Sequence, residues 1–269
     1  MPLNNHLHTY SQNHSVKEAV VSFFVKPQIE SPKDYENLLD IEGVVKDNYS
    51  KYEPIKEVSL KFILEKGNEP QLQQTQDTGF KLTGFCNGET SKVIQGICQP
   101  LQSVFTFNDI AYVRWNVFIN HVMNAAKEVA NLKKIYTLSA FSLLYIDEFY
   151  YDASSPYNPL ELFNVESLDL PKGIETSSIV DYNLTLNKAF KLGQYIDNRS
   201  IKVIDINEKK TIRIINNLTF PLKESESWHE FLDRDEFLYS LNFGHQENKT
   251  LLCSILNKEI SKSIGLCVC

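Results

Sequence analysis

The chain has 269 residues, of which 42% are hydrophobic and 23% charged, with no run of eighteen apolar residues. That balance suits a soluble globular protein of one large domain or two modest ones, and it excludes a helical membrane span or a disordered chain. Thirty-four acidic side chains against 27 basic ones give a net charge of -7, and the bases are 23 lysines with only four arginines, Arg114, Arg199, Arg213 and Arg234. A dedicated binder of duplex DNA needs a concentrated cationic face, usually with guanidinium forks, so composition argues against one. Residues 135–269 carry 19 acids and 13 bases, against 15 and 14 in residues 1–134, which makes the second half the poorer match for phosphates.

Residues 1–15 hold His6, His8 and His14 among Asn, Ser and Thr. The segment lacks the charged and apolar regions of a signal peptide and reads as the flexible N-terminal tail of a cytoplasmic protein. Imidazoles so placed lack the fixed geometry of a selective metal site. Cys86, Cys98, Cys253, Cys267 and Cys269 are odd in number, and in a reducing compartment they read as free thiols.

From residue 19 the run Ala19, Val20, Val21, Ser22, Phe23, Phe24, Val25 is apolar on both alternating faces and is stopped by Pro27, as expected of a buried strand. Residues 33–50 read as a weakly helical connection. In 57–65, Val58, Leu60, Phe62 and Leu64 alternate with mostly polar neighbours, which predicts a strand with one face in a core and a turn at 66–68. Strand-like runs near 79–86 and 92–107 flank Asn87 and Gly88, a dipeptide suited to the positive φ angles of a tight hairpin. Trp115, Phe118, Ile119, Val122, Met123, Ala126 and Ala130 recur at helical spacing over 114–132. That pattern predicts a helix lying on a sheet, with Trp115 and Phe118 in its buried stripe.

The second half repeats the order. Residues 136–151 predict a long aromatic and aliphatic strand, followed by a loop with Pro156, Pro159 and Pro171. Val180, Tyr182, Leu184 and Leu186 then alternate with Asp181, Asn183, Thr185 and Asn187, and a hairpin is expected between 201–206 and 211–220. Leu252, Ile255, Leu256, Ile260 and Ile264 share one face of a closing helix. Strand, long connection, three strands and helix thus occur twice, without residue identity between the copies. The expected fold is α+β, a mostly antiparallel sheet with packed helices. It is divided into two similarly ordered halves, 16–134 and 135–269, or built as one continuous domain.

The strand Val16, Lys17, Glu18, Ala19, Val20, Val21, Ser22, Phe23 carries a family resemblance. So do the run Leu101, Gln102, Ser103, Val104, Phe105, Thr106, Phe107 ahead of Tyr112 and Trp115, and the strand Leu143, Leu144, Tyr145, Ile146, Asp147, Glu148, Phe149. Together they resemble an uncharacterised, sporadically distributed bacterial protein family often met near mobile elements and defence genes. In that family the last strand typically reads Leu, Arg, Tyr, Ile, Asn, Arg, Ile. Here Leu144 and Glu148 stand where the arginines would be, and Asp147 where the asparagine would be. The resemblance therefore carries no anion site over to this chain. It implies an α+β architecture in a bacterial cytosol and supplies no activity.

No phosphate loop, dinucleotide-binding turn, nucleophile elbow or zinc helix is present in the sequence. His121 reads as a partly exposed structural histidine, with a nucleophilic pairing to Cys86 or Cys98 as the sharper alternative. Cys267 and Cys269 read as part of a frayed end. Asp147, Glu148 and Asp152 read as carboxylates keeping a strand edge soluble, against a base or cation site. Glu224, Glu226, Glu230, Asp233, Asp235 and Glu236 surround Trp228, Phe231, Phe237 and Tyr239. Acids interleaved with aromatics suit a surface for a basic protein partner, with Glu226, Trp228, Glu230, Phe231 and Asp233 as its contacts. No catalytic residue, metal ligand or cofactor is expected. The reading is a non-enzymatic protein-binding or regulatory subunit of a bacterial defence or toxin-control system, its partner encoded by a neighbouring gene. A protein sensing a small molecule or single-stranded nucleic acid, or an enzyme of unrecognised class, is the alternative.

Overall fold

The computed structural model describes residues 7–11, 14–57, 60–61, 71–72, 76–151, 158–174, 180–206 and 209–266. The chain runs through β1 (Leu7–Thr9), β2 (Val16–Lys26), a 3-10 segment (Pro32–Leu39), α1 (Val44–Asn48) and β3 (Lys51–Glu57). The paired dipeptides β4 (Leu60–Lys61) and β5 (Gln71–Leu72) precede β6 (Gln76–Cys86), β7 (Glu89–Gln99), β8 (Gln102–Asp109) and α2 (Trp115–Leu132). Next come β9 (Thr137–Tyr151), α3 (Pro159–Leu162), β10 (Val180–Phe190), β11 (Gly193–Ile206) and β12 (Lys209–Ser227). Three helices close the chain, α4 (Trp228–Phe231), α5 (Asp235–Ile255) and α6 (Lys258–Ser263). The fold is α+β: a large antiparallel sheet in the order β10-β11-β12-β9-β2-β8-β7-β6-β3, with helices packed on it and β1 paired to the end of β9.

Local chemistry sets several of these boundaries. Asn87 and Gly88 take φ angles of 53° and 84° and turn β6 into β7, the conformation that only Gly and Asn adopt readily. The expected strand over 92–107 is instead two strands, because Pro100 and Leu101 make a second tight turn that pairs Gln99 with Gln102. Of the strand expected over 57–65, Glu57 ends β3 and Leu60 and Lys61 form β4; residues 58–59 and 62–65, and the turn expected at 66–68, lie outside the described residues. The closing helix is also two helices. α5 ends at Ile255, Leu256 bridges to Phe163, and the Asn257 side chain accepts from the Glu259 N–H to start α6. Within the expected tail, Leu7 is fully buried in β1, His8 stacks on Tyr150, and Ser15 is buried. The described part of 1–15 is therefore packed onto β9 and is not a loose tail.

β9 lies between β12 and β2, and its side chains alternate between the faces of the sheet. Phe141, Leu143, Tyr145, Phe149 and Tyr151 point to the helix side and are buried. Two apolar clusters cover that side. The larger joins β2, β6, β8 and the first part of β9 to α2, α4 and the start of α5. The smaller joins β1, the end of β9, β11 and β12 to the last turns of α5 and to α6.

Trp228 centres the larger cluster, with its ring 4.9 Å from Phe105 and 5.2 Å from Phe23, and it is fully buried. Its backbone N–H donates to the Tyr136 carbonyl at 2.9 Å, which fixes α4 against the start of β9. Trp115 departs from the expected buried stripe of α2. It is half-buried, while Phe118, Ile119, Val122, Ala125, Ala126, Val129 and Ala130 fill that stripe. Trp228→Ala is therefore expected to destabilise the fold by about 3–5 kcal/mol, and Trp115→Ala by a smaller amount. Urea unfolding of both variants checks the ranking, and equal losses would remove Trp228 from the centre of the core.

Candidate functional site

The buried face of β9 reads Phe141, Leu143, Tyr145, Asp147, Phe149, so a carboxylate interrupts an apolar row. Tyr145 belongs to the larger apolar cluster and Phe149 to the smaller, and Asp147 stands between them. Neighbouring elements are interrupted at the same level. On β12, buried Asn216 separates Ile214 of the smaller cluster from Leu218 of the larger. On β11, buried Asp197 and Arg199 separate Tyr195 from Ile201. On α5, buried Asn248 separates Leu241 from Leu251. A polar layer thus crosses the interior.

Most of this layer is satisfied internally. The Arg199 guanidinium donates through Nε to both oxygens of Asp197, at 3.1 and 3.0 Å, and through Nη1 to Asp169 at 2.5 Å. Lys188 Nζ lies 2.7 Å from Asp197, and the Ser254 hydroxyl donates to Asp169 at 2.7 Å. Asn216 Nδ2 donates to Asn248 Oδ1 at 3.1 Å. Two acceptors are exceptions, Asn216 Oδ1 and Asp147 Oδ2, each buried with no hydrogen-bond partner among the described residues; the Ser15 hydroxyl donates to Asp147 Oδ1 at 2.6 Å.

Asp147 lines a cavity of about 1050 Å³ between the end of β8, the start of α2, the middle of α5 and the segment before β2. The volume is at the upper end of the range for small-molecule sites. A continuous aromatic wall faces it. His14 meets Tyr112 edge-on at 5.6 Å, Tyr112 meets Tyr145 at 6.2 Å, Tyr145 lies 5.8 Å from His245, and His245 stacks on Trp115 at 4.5 Å with the rings 6° from parallel. Hydrogen bonds hold three of these rings: Tyr145 Oη and His245 Nδ1 are 2.8 Å apart, and Trp115 Nε1 donates to Asn242 Oδ1 at 2.7 Å. Gly244 lets α5 sit close to the sheet, since a Cβ there would come 3.2 Å from Leu143 Cδ2. His245 and Asn248 are thereby carried down to the level of Asp147.

Burial dominates the electrostatics. It pushes the Asp147 carboxyl up to about 6, against the opposing effects of Ser15 and Asn248. Burial brings His245 down to about 4, with Lys249 adding to the effect, and it brings His121 down to about 4, with Lys92 adding there. Burial also raises the Tyr145 and Tyr112 phenols and lowers His14. The wall at neutral pH therefore consists of neutral rings, with a carboxyl at its floor that titrates just below neutrality.

Asp147 and Glu148 do not form a cluster, because successive strand residues point to opposite faces. Glu148 Oε2 accepts from Lys17 Nζ at 3.0 Å and from Arg213 Nε at 2.6 Å on the far side of the sheet. Nor do they protect an edge, since β9 is an interior strand; Asp152 lies outside the described residues. His121 Nε2 is 2.9 Å from Tyr49 Oη, whereas Cys98 Sγ contacts the Ile29 carbonyl, and neither Cys86 nor Cys98 forms a disulfide. Cys267 and Cys269 lie outside the described residues.

Of the expected partner surface, Trp228 and Phe231 are core residues and cannot serve as contact anchors. The large apolar cluster buries both because α4 folds directly back from β12 onto β9. Glu226 is ion-paired to Arg234 and Asp233 to Lys127 at 2.5 Å, while Glu230 is exposed. The structure thus separates the acids from the aromatics that the sequence set beside them. Sequence reasoning passed over His245, Asn248 and Ser15. The available signal was a polar pair at i and i+3 continuing the helical row of Leu241 and Leu252.

Set against protein-family models, curated proteins and solved structures, the chain matches none. No helix among the described residues is long and apolar enough to cross a membrane.

The position of Asp147 gives stability a definite pH dependence. A carboxyl whose folded-state pKa is raised favours the folded state when protonated and disfavours it when ionised. The penalty is therefore small below about pH 4 and complete above about pH 6, where it amounts to roughly 3 kcal/mol. Asp147→Asn removes the charge and keeps the shape, so it is expected to stabilise the protein by roughly 2–3 kcal/mol at pH 7.5 and by little at pH 4.5. Buried His121 and His245 act in the opposite sense as pH falls, but both are common to the two proteins and drop out of the difference. Urea midpoints at the two pH values check it, and a gain that is the same at both would contradict a buried, titrating Asp147.

Proposed function

We propose that the chain is a non-enzymatic regulatory protein that senses a small molecule bound in the cavity at Asp147. The carrying observation is the cavity itself, whose aromatic wall adjoins Asp147, a buried carboxylate with one oxygen lacking a partner among the described residues. Largely apolar concavities with a few convergent polar groups are the usual form of ligand sites. Binding is favoured over catalysis by the way the reactive groups are engaged. The Ser15 hydroxyl donates to a carboxylate, and His121 and His245 each contact a tyrosine hydroxyl, so these groups are not arranged as a nucleophile and its imidazole base.

A basic protein partner is the second part of this reading. It is supported by the exposed acids Glu224, Glu230, Asp235 and Glu236 beside exposed Leu238 and Tyr239, with Glu226 and Asp233 at the same surface. The setting, a bacterial cytosol and a defence or toxin-control locus with the partner encoded nearby, rests on the family resemblance. Two similarly ordered halves are supported by strand order. β8, β7 and β6 lie successively outward from β2, and β12, β11 and β10 outward from β9, each set being followed by a long helix.

A thermal-shift screen against a library of cytosolic metabolites tests the ligand reading. A compound at 100 times its Kd stabilises the folded state by about 2.7 kcal/mol, equivalent to a rise in Tm of roughly 5 °C or more for a chain of this size. The shift should disappear in Trp115→Ala, which opens the wall without entering the core. A shift of full size in that variant would place the ligand elsewhere, and no shift from any compound would count against the proposal.

A further inference from the structure

We propose that the cavity selects an organic cation, an amine or amidine nitrogen carried on a flat aromatic body, with its N–H groups donating to Asp147 Oδ2. This deepens the small-molecule reading and rests on it. Asp147 is 1% exposed and lines the cavity, and its buried Oδ2 has no hydrogen-bond partner among the described residues. An orphaned acceptor in such a place calls for a donor, since a buried polar group left without a partner is strongly unfavourable.

The surroundings narrow the class further. Ser15 uses its hydroxyl proton on Oδ1, and Asn248 uses its carbonyl oxygen on Asn216. What Asn248 has left to offer the carboxyl is therefore its amide N–H. These donors favour the ionised carboxylate, against the larger opposing effect of burial, and Oδ2 has no hydrogen-bond partner among the described residues. Among the described residues, no lysine or arginine ion-pairs with Asp147. Lys17 and Arg213 are drawn to Glu148 on the other face of the sheet. Arg114, Lys249 and Glu89 line the same cavity, so its other charges are of both signs, and the buried carboxylate is left to discriminate. Asp197, the other buried carboxylate named in this layer, has Arg199 and Lys188 as its cations. The missing cation of Asp147 is the one the ligand brings.

The aromatic wall suits the same occupant. Trp115, Tyr112 and Tyr145 present π faces and edges beside the carboxylate, and such faces attract a desolvated cation and stack a flat ring. A carboxylate and an aromatic wall together reject an anion by repulsion and a neutral isostere by the donor it lacks.

Benzamidine, benzamide and benzoate provide a matched cation, neutral amide and anion on one ring. The two indole N–H resonances report on the site: Trp115 lies at the cavity, and Trp228 is an internal reference in the core. Benzamidine is expected to shift the Trp115 signal saturably while leaving Trp228 in place, at concentrations about tenfold or more below those benzamide or benzoate require. Asp147→Asn should weaken benzamidine by about tenfold or more while remaining folded, as the unchanged Trp228 signal will verify. If benzamide or benzoate binds as well as benzamidine, or if Asp147→Asn binds benzamidine undiminished, the cation assignment is overturned and the cavity stands as a ligand site. Silence of all three probes at Trp115 also overturns the assignment, and the metabolite screen then judges the ligand reading on separate data.

Discussion

A carboxylate set into the buried face of an interior strand governs the organisation of this protein. Taking an ionised group out of water is tolerated only where partners replace the lost hydration. Asp147 receives one hydroxyl donor from Ser15 and help from the Asn248 amide, and the burial still raises its pKa. The rest of the architecture accommodates that group. The segment before β2 turns Ser15 inward, α5 presents Asn248, β12 holds Asn216 behind it, and the apolar packing divides into one cluster on either side. The cavity lies where that division opens toward α2 and α5.

The contrast with Asp197 separates a buried charge whose partners are complete from one whose partners are not. Asp197 is as deeply buried, yet Arg199 and Lys188 neutralise it and Arg199 links it onward to Asp169 and Ser254. Its network closes on itself and keeps β10, β11 and α5 in register. Asp147 has the same burial without the closure, and its stability penalty at neutral pH is what such incompleteness implies. Groups of this kind concentrate where proteins bind and react.

Much of the fold was legible in the sequence because it follows from periodicity and turn chemistry. The Asn87-Gly88 hairpin, the helix from Trp115, the long strand to Tyr151 and the alternation over Val180–Phe190 are all local properties. What failed was of a different kind. Pro100 and Leu101 divide one apolar run into two strands, and Leu256 interrupts an apolar helical stripe to bridge Phe163; both depend on tertiary pairing. For the site, the sequence led toward Trp228 and its flanking acids, because aromatics among charges resemble a surface. Only the packing of α4 under Phe23 and Phe105 reveals Trp228 as core. Asp147 was readable in principle, as the one charged member of an odd-numbered row of Phe, Leu, Tyr and Phe. Grouping it with Glu148 by adjacency in sequence concealed that, since adjacency in a strand means opposite faces. His245, Asn248 and Ser15 join it across distances of the order of a hundred residues in the chain, which no local pattern records.

The polar layer also bears on how the molecule holds together over time. Two apolar clusters separated by hydrogen-bonded side chains have little direct contact through which to melt as one. β9 and β12, however, run unbroken through both, and they are paired to each other along nearly their whole length. These two strands act as the common spine, so their amides should exchange with solvent last, through global unfolding alone. α6, in contrast, is a short helix packed on the smaller cluster alone and belongs to the part that opens first. Its last turn leads to Ile264, Gly265 and Leu266 on the cavity wall, so local opening of this short helix would uncover one side of that cavity.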